Sequence, residues 1–358
     1  MNAMHCLAGW DLRLIANLSR EAGIPSGASS DRVATNTHFI VDHAARLVHM
    51  DKQRADGMIG LKSALEHAPM AGAAGWIDGL AFTARKESWV ASSAGRFYKI
   101  FRRSDDPARD WLDPLCMEKA GREYADTLFL GRLSGRVCTP VQLDHACVVY
   151  PQLSGPDMRP MLQQMRDEAD ARQHAGGLRE AMVLLAQLHG ARRDMPDYPV
   201  KDYLHSGYLT PDVEVTRRIG ERERTLFISG FEVRNFRFDR HRDGWFFFDP
   251  QHVFLGMPED DLARFVISLL MINWGQGGSV RLWQDFSVSD LLSTYETASG
   301  RSLDRTLLNY FLRETIAMRR YFAQKALRNM SGAKRVLGRP YLSAYFMQLN
   351  HWAANNEF

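Results

Sequence analysis

The feature that most restricts this chain is a change of hydrophobic period near its middle. Between residues 79 and 150, short apolar and β-branched runs alternate with turn residues. Gly79-Leu80-Ala81-Phe82, Trp89-Val90-Ala91 and Arg96-Phe97-Tyr98-Lys99-Ile100-Phe101 read as three strands, with Ser93-Ala94-Gly95 as a turn before the third. A helix is predicted over 113–135, and Val137-Cys138-Thr139 and Cys147-Val148-Val149-Tyr150 read as two further strands. Beyond residue 155 the spacing becomes helical. Leu178, Met182, Leu185 and His189 form one stripe, and Gly190 supplies a stop.

Helices are also predicted over 157–174, from Asp260 through Asn273, over 289–298 with Ser289 as cap, and over 303–330. Residues 192–224 read as loop, and 227–238 and 245–248 as extended segments joined by a polar turn. A small antiparallel sheet carrying one helix, followed by a mainly helical region, is an α+β, two-lobed arrangement. The expected division is an N-terminal extension over 1–75, a sheet lobe over 76–155 and a helical lobe over 156–358. Within the extension, His38-Phe39-Ile40-Val41 and Arg46-Leu47-Val48-His49-Met50 read as short strands and 59–67 as a helix.

Composition narrows the class. The chain has 358 residues, 45% of them hydrophobic and 24% charged, which is ordinary globular usage and excludes a disordered or disulfide-stapled chain. A formal net charge of +3 is too balanced for a surface built for nucleic acid, so no nucleic-acid partner is expected. Cys6, Cys116, Cys138 and Cys147 form no CxxC and read as reduced thiols. Asp11 and Arg13 interrupt the N-terminal apolar stretch, and the longest apolar run, 265–272, contains Ser268. A cytoplasmic location is expected; the oligomeric state is left open.

Four charged or polar positions then occur in a suggestive order. Lys99 lies on the third strand, Glu118 and Glu123 on the next helix, Asn235 at the end of an extended segment, and Asp249 after an aromatic strand. Phosphoryl transfer uses such groups: a lysine to neutralise phosphates, a helix glutamate to hold it, and Asn and Asp to bind the bridging magnesium ions. Glu118 and Glu123 are five apart and do not share a helix face, and Glu123 is preferred.

These residues carry a resemblance. Phe97-Tyr98-Lys99-Ile100, Arg122-Glu123-Tyr124, the hinge-like stretch 148–155, Leu188-His189, Asn235-Phe236-Arg237-Phe238-Asp239, Phe247-Phe248-Asp249-Pro250 and Asp260-Asp261-Leu262-Ala263 resemble the kinase-like fold. The group resembled contains aminoglycoside phosphotransferases, choline kinases, fructosamine kinases and lipopolysaccharide core sugar kinases. The resemblance covers about two-thirds of the chain. It implies a protein-kinase-like fold using ATP and magnesium to phosphorylate a small-molecule or glycan hydroxyl, including lipopolysaccharide or surface-polysaccharide sugars. Lys99, Glu123 and Tyr150 would then bind the nucleotide, and Asn235 and Asp249 the metal. Asp261 would tie down the catalytic loop.

Two departures keep a second expectation open. The family places a catalytic Asp five residues before the metal Asn, and Gly230 stands there, in Ile228-Ser229-Gly230 rather than His-Gly-Asp. Glu232 is the candidate replacement base. The phosphate loop, Thr83-Ala84-Arg85-Lys86-Glu87-Ser88, lacks glycine. The alternative is a pseudokinase that keeps the fold as a nucleotide-binding or regulatory module. Finally, Arg313, Arg319, Arg320, Lys325, Arg328, Lys334, Arg335 and Arg339 face Glu314 alone, a solvated helix face or a peripheral contact for an anionic membrane or glycan.

Overall fold

The computed structural model describes residues 79–358 apart from 165–167, 192–196, 206, 275–277, 282–286, 331 and 357. The extension over 1–75 and the strands and helix expected there lie outside the described residues. Five strands open the described part: β1 Thr83–Ala84, β2 Ser88–Ser93, β3 Arg96–Phe101, β4 Gln142–Asp144 and β5 Cys147–Pro151. They form one antiparallel sheet in the order β1-β2-β3-β5-β4. The β2–β3 hairpin closes through Ala94 and Gly95, both at positive φ (48° and 72°), a two-residue turn whose twist suits the flanking strands.

Helix α1 (Pro107–Trp111) and helix α2 (Pro114–Leu133) follow β3. Asp113 caps α2 by accepting from the backbone of Leu115 and Cys116. Cys116 and Ala120 pack with Ile100, Cys147 and Val148 in the core of the sheet lobe.

The remainder is mainly helical: α3 Met158–Gln164, α4 Glu168–Gly190, α5 Val213–Glu221, α6 Pro258–Leu270, α7 Val288–Ser299, α8 Arg305–Arg328 and α9 Gly332–Asn355. Two small antiparallel ribbons are set among them, β6 (Thr225–Ile228) with β9 (Val253–Gly256), and β7 (Phe236–Asp239) with β8 (Gly244–Phe247). Helix α4 packs on α7, and α8 on α6 and α9. Phe231 sits centrally, its ring centroid 5.1 Å from Phe236, 5.0 Å from Phe247 and 5.8 Å from Phe265. That cluster fixes the loop between β6 and β7 against α6. The antiparallel sheet followed by a mostly helical region is the two-part α+β arrangement expected.

Several local expectations are corrected. The first strand is Thr83–Ala84 rather than 79–82, an exposed edge pair with no apolar alternation to reveal it. Val137 is not in the main sheet; it makes one parallel bridge to Phe247, and the edge strand is the more polar Gln142–Asp144. The expected loop over 192–224 contains α5, a short amphipathic helix of nine residues that buries Val215 and Ile219 and is capped by Asp212. Residues 227–238 are not continuously extended, because a 3-10 turn, Val233–Asn235, separates β6 from β7. Helix α7 is capped by Ser287, with Ser289 donating its backbone N–H to that hydroxyl. Residues 168–174 join 178–189 in the single helix α4, and a separate helix, α9, follows α8.

Replacing Phe231 by Ala is expected to cost about 3–5 kcal/mol, because three neighbouring rings lose a shared partner. Equilibrium urea unfolding of the full chain measures it.

Candidate functional site

Strand pairing brings the first two site residues together. Phe97 pairs with Tyr150 and Lys99 with Val148, so Lys99 and Tyr150 share a face of the sheet. Helix α2 crosses that face with Glu123 buried. The Lys99 Nζ donates to Glu123 Oε2 at 2.5 Å, and Tyr150 Oη donates to the other carboxylate oxygen at 2.6 Å. Lys99 also reaches Asp249, just beyond β8, with Nζ 2.5 Å from Oδ1. One ammonium group therefore bridges the sheet lobe and the helical region. Glu118 instead pairs with Arg122 on the exposed side of α2, at 2.9 Å.

The electrostatics follow from this arrangement. Burial opposes the Lys99 charge, but Asp249 and Glu123 together hold its pKa well above that of an ordinary lysine. Burial and the Asp249 charge push the Glu123 carboxyl upward despite Lys99. Asp249 is also opposed by burial, yet Lys99 and the more distant Arg234 carry its carboxyl below the usual range. A third of the Asp249 side chain stays exposed, so one edge of the cluster faces solvent. Its backbone has φ of +60°, a left-handed conformation that a non-glycine residue adopts at a cost of about 1–3 kcal/mol. Tight contacts overrule that cost here.

Those contacts come from the loop between β6 and β7. Asn235 Nδ2 donates to the Gly230 carbonyl at 2.7 Å and lies 3.5 Å from the Asp249 carbonyl. A Cβ on Gly230 would stand 2.5 Å from the Asp249 carbonyl oxygen and 3.0 Å from Gln251 N. Glycine is therefore needed for close backbone approach, and a carboxylate at this position has no room unless the Asp249 turn moves. The loop start is secured separately. Asp261 Oδ2 accepts from Ile228 N at 2.8 Å and meets His189 Nε2 at 3.1 Å, while His189 Nδ1 meets Tyr295 Oη at 2.8 Å. His189 and Asp261 are buried and structural.

Glu232 is brought to the same loop but not to the lysine cluster. Its carboxylate is bound by Arg319 of α8 and by Arg234 Nε at 3.0 Å. The oxygens that a general base would offer to a hydroxyl are taken by guanidinium groups. Nor does Tyr150 present its hydroxyl to a ligand, because that group is spent on Glu123. Sequence reading missed Arg234 and the role of Arg319, which it counted only within the basic segment. Thr83–Ala84 and Ser88 flank a tight turn, with Arg85 N donating to Ser88 O at 2.7 Å and Lys86 pairing with Glu87 at 3.2 Å. In the basic segment, Glu314 is consumed by the backbone N–H groups of Tyr208 and Leu209, and Arg320, Lys325, Arg328, Arg335 and Arg339 are exposed.

The donor set suits a magnesium ion. With its amide nitrogen directed at Gly230 and Asp249, Asn235 Oδ1 accepts no hydrogen bond from a described residue, and neither does Asp249 Oδ2. Magnesium typically takes one or two such protein oxygens and completes its shell with water and phosphate. Among the described residues no cluster of three or more His, Cys, Asp or Glu forms a dedicated metal cage. No described helix is long and apolar enough to cross a membrane, and Cys116, Cys138 and Cys147 are buried free thiols.

No protein-family model matches the chain, and no curated protein matches it. Solved structures do. A choline/ethanolamine kinase family protein from Mesorhizobium loti matches at TM-score 0.47 and 13% identity, over 78% of this chain and 89% of that one. The choline kinase LicA from Streptococcus pneumoniae matches at 0.46 and 11%, over 74% and 91%. The aminoglycoside phosphotransferase APH(3'')-Id from Streptomyces rimosus, solved with ADP and streptomycin, matches at 0.43 and 11%, over 64% and 90%. At this distance the likeness says nothing of substrate or activity.

Two outcomes are expected of site variants. Lys99→Met leaves Glu123 and Asp249 facing each other without a cation, at a cost of about 3 kcal/mol. Both folded carboxyl pKa values then lie above their unfolded values, so the deficit is largest at pH 8 and shrinks as the pH falls toward 5. Urea unfolding at the two pH values reads this sign. Gly230→Ala is expected to lose about 1–3 kcal/mol through its clash with the Asp249 backbone, in the same assay.

Proposed function

We propose that this chain is a kinase-like phosphotransferase that binds ATP with magnesium and phosphorylates a hydroxyl of a small molecule or glycan. A sugar of lipopolysaccharide or of a surface polysaccharide belongs to that acceptor class. The observation that carries the reading is the Lys99 ammonium held 2.5 Å from both Glu123 and Asp249. A lysine kept charged and aimed from a sheet toward a carboxylate that is one-third exposed is suited to phosphate oxygens, which would replace Asp249 as its partner. Magnesium bound by Asn235 and Asp249 would supply charge neutralisation on the phosphates. Glu123, fixed by Tyr150, keeps the lysine extended. The acceptor oxygen would bond to the terminal phosphorus as the bridging oxygen departs with ADP, and the hydroxyl proton would pass to water. Positioning and electrostatics dominate such transfers, so the reading does not need a strong base.

A second reading is favoured by two features. Gly230 excludes a side chain from the position of the usual aspartate, and Glu232 is tied to two arginines. A pseudokinase that binds nucleotide without turnover accounts for both.

ATP should raise the melting temperature only when a divalent ion is present. The stabilisation is about 2.7 kcal/mol when the ligand is about 100 times its Kd. Asp249→Asn should abolish the gain, read against the variant's own apo melting temperature; Asn tolerates the left-handed backbone, so the chain still folds although it loses the ion pair with Lys99. No shift of the wild-type protein at millimolar ATP and magnesium would sink both readings. ADP release with candidate hydroxyl acceptors separates them.

A further inference from the structure

Beside the lysine cluster lies a second group of charges that nucleotide binding does not use. Arg234 immediately precedes Asn235 on the loop, Arg319 projects from α8, and Arg159 projects from α3, which packs on the 3-10 turn. Glu232 lies among them and pairs with both Arg234 and Arg319. Arg159 is oriented by two carbonyls just beyond the end of α6, donating to Ile272 O at 3.1 Å and Trp274 O at 2.9 Å. Two guanidinium groups thus share one carboxylate, and a third, Arg159, lies close enough to feel the charges of all three. Nearby acids are engaged elsewhere, Asp157 with Arg237 and Asp249 with Lys99.

The imbalance is visible at individual atoms. Arg319 Nε is buried without a hydrogen-bond partner, although the side chain as a whole is 23% exposed. Arg234 is 44% exposed and, beyond its ion pair with Glu232, donates no hydrogen bond to a described residue. Burial lowers the pKa of Arg159, and the charges of Arg234 and Arg319 lower it further, against Glu232 and Tyr345. Gathering like charges at a partly desolvated place is unfavourable unless a counter-charge joins them. Guanidinium forks match phosphate and carboxylate oxygens in shape as well as charge.

We propose that Arg234 and Arg319, backed by Arg159, form a binding site for an anionic group, phosphate or carboxylate, on the molecule that receives the phosphoryl group. The assignment to the acceptor rests on the phosphotransferase reading; the anion site itself does not. Glu232 is then a built-in competitor, which holds the arginines in place and gives up part of their hydrogen bonding when the anion arrives. The acceptor is accordingly an acidic metabolite or an acidic or already phosphorylated sugar, not a polycation.

The test uses the full chain at constant ionic strength, with melting temperature read against inorganic phosphate and glycerol 3-phosphate, and glycerol as the uncharged control. Both anions should stabilise the wild type in a saturable way and glycerol should not. Arg234→Gln should weaken that effect at least about tenfold, the loss expected for a charge-assisted hydrogen bond. Glu232→Gln should strengthen it, which a merely structural ion pair would not do. The magnesium–ATP shift of Arg234→Gln serves as the control for folding and for the nucleotide site. Anion stabilisation equal in the wild type and Arg234→Gln, or absent from the wild type, overturns the proposal. Loss of the magnesium–ATP shift in Arg234→Gln, with the anion shift kept, also overturns it, because the arginine would then serve the nucleotide's phosphates. An anion shift that depends on Arg234 in a chain that ignores ATP keeps the anion site and removes the phosphotransferase reading instead.

Discussion

One ammonium group joins the two parts of this molecule. Lys99 belongs to the sheet, Glu123 to the helix that crosses it, and Asp249 to the end of a ribbon embedded among the other helices. Each partner alone would be costly. A buried lysine loses solvation, and so does a buried glutamate, and neither loss is recovered unless the other is present in good geometry. Asp249 then draws the lysine toward the edge of the cluster that solvent reaches. The result is a charge kept ionised by its surroundings yet able to exchange one partner for a ligand.

The second constraint is closeness of backbone. The loop after β6 is pinned at its start by Asp261, in its middle by the Phe231 cluster, and at its end by Asn235. With those three anchors the Gly230 and Asp249 main chains touch, and no room is left for a side chain at position 230. The acid that remains on the loop, Glu232, is drawn sideways to α8. The absence of a side chain at Gly230 and the pairing of Glu232 with Arg234 and Arg319 are thus two aspects of the same packing, and they leave this face rich in guanidinium groups.

Much of this was legible in the sequence. The strand containing Lys99 is marked by its aromatic and β-branched neighbours, and the helix containing Glu123 by its length and cap. Asp249 stands out because an acid after Trp245, Phe246, Phe247 and Phe248 requires a partner. What could not be read were pairings between residues far apart in the chain. Nothing local to Glu232 says that Arg319 reaches it, and Arg319 looks like one more cation in a basic run. Tyr150 could be placed beside the site but not aimed, since its direction depends on the register of β3 against β5. The edge strand β1 is two exposed residues and leaves no period, and helix α5 is only nine residues long in a polar stretch.

The left-handed backbone at Asp249 has a consequence for which substitutions the chain can absorb. Position 249 passes two unrelated filters. The conformation admits glycine, asparagine and aspartate with least strain, and Pro250 behind it narrows the choice of backbone further. The charge beside Lys99 admits aspartate or glutamate. Only aspartate satisfies both. At Lys99 and Glu123, which lie in regular strand and helix, the backbone imposes no comparable filter, and only charge and reach restrict the residue. In a saturation library scored for folding alone, position 249 should therefore tolerate the narrowest alphabet of the three, whether or not the chain turns over a substrate.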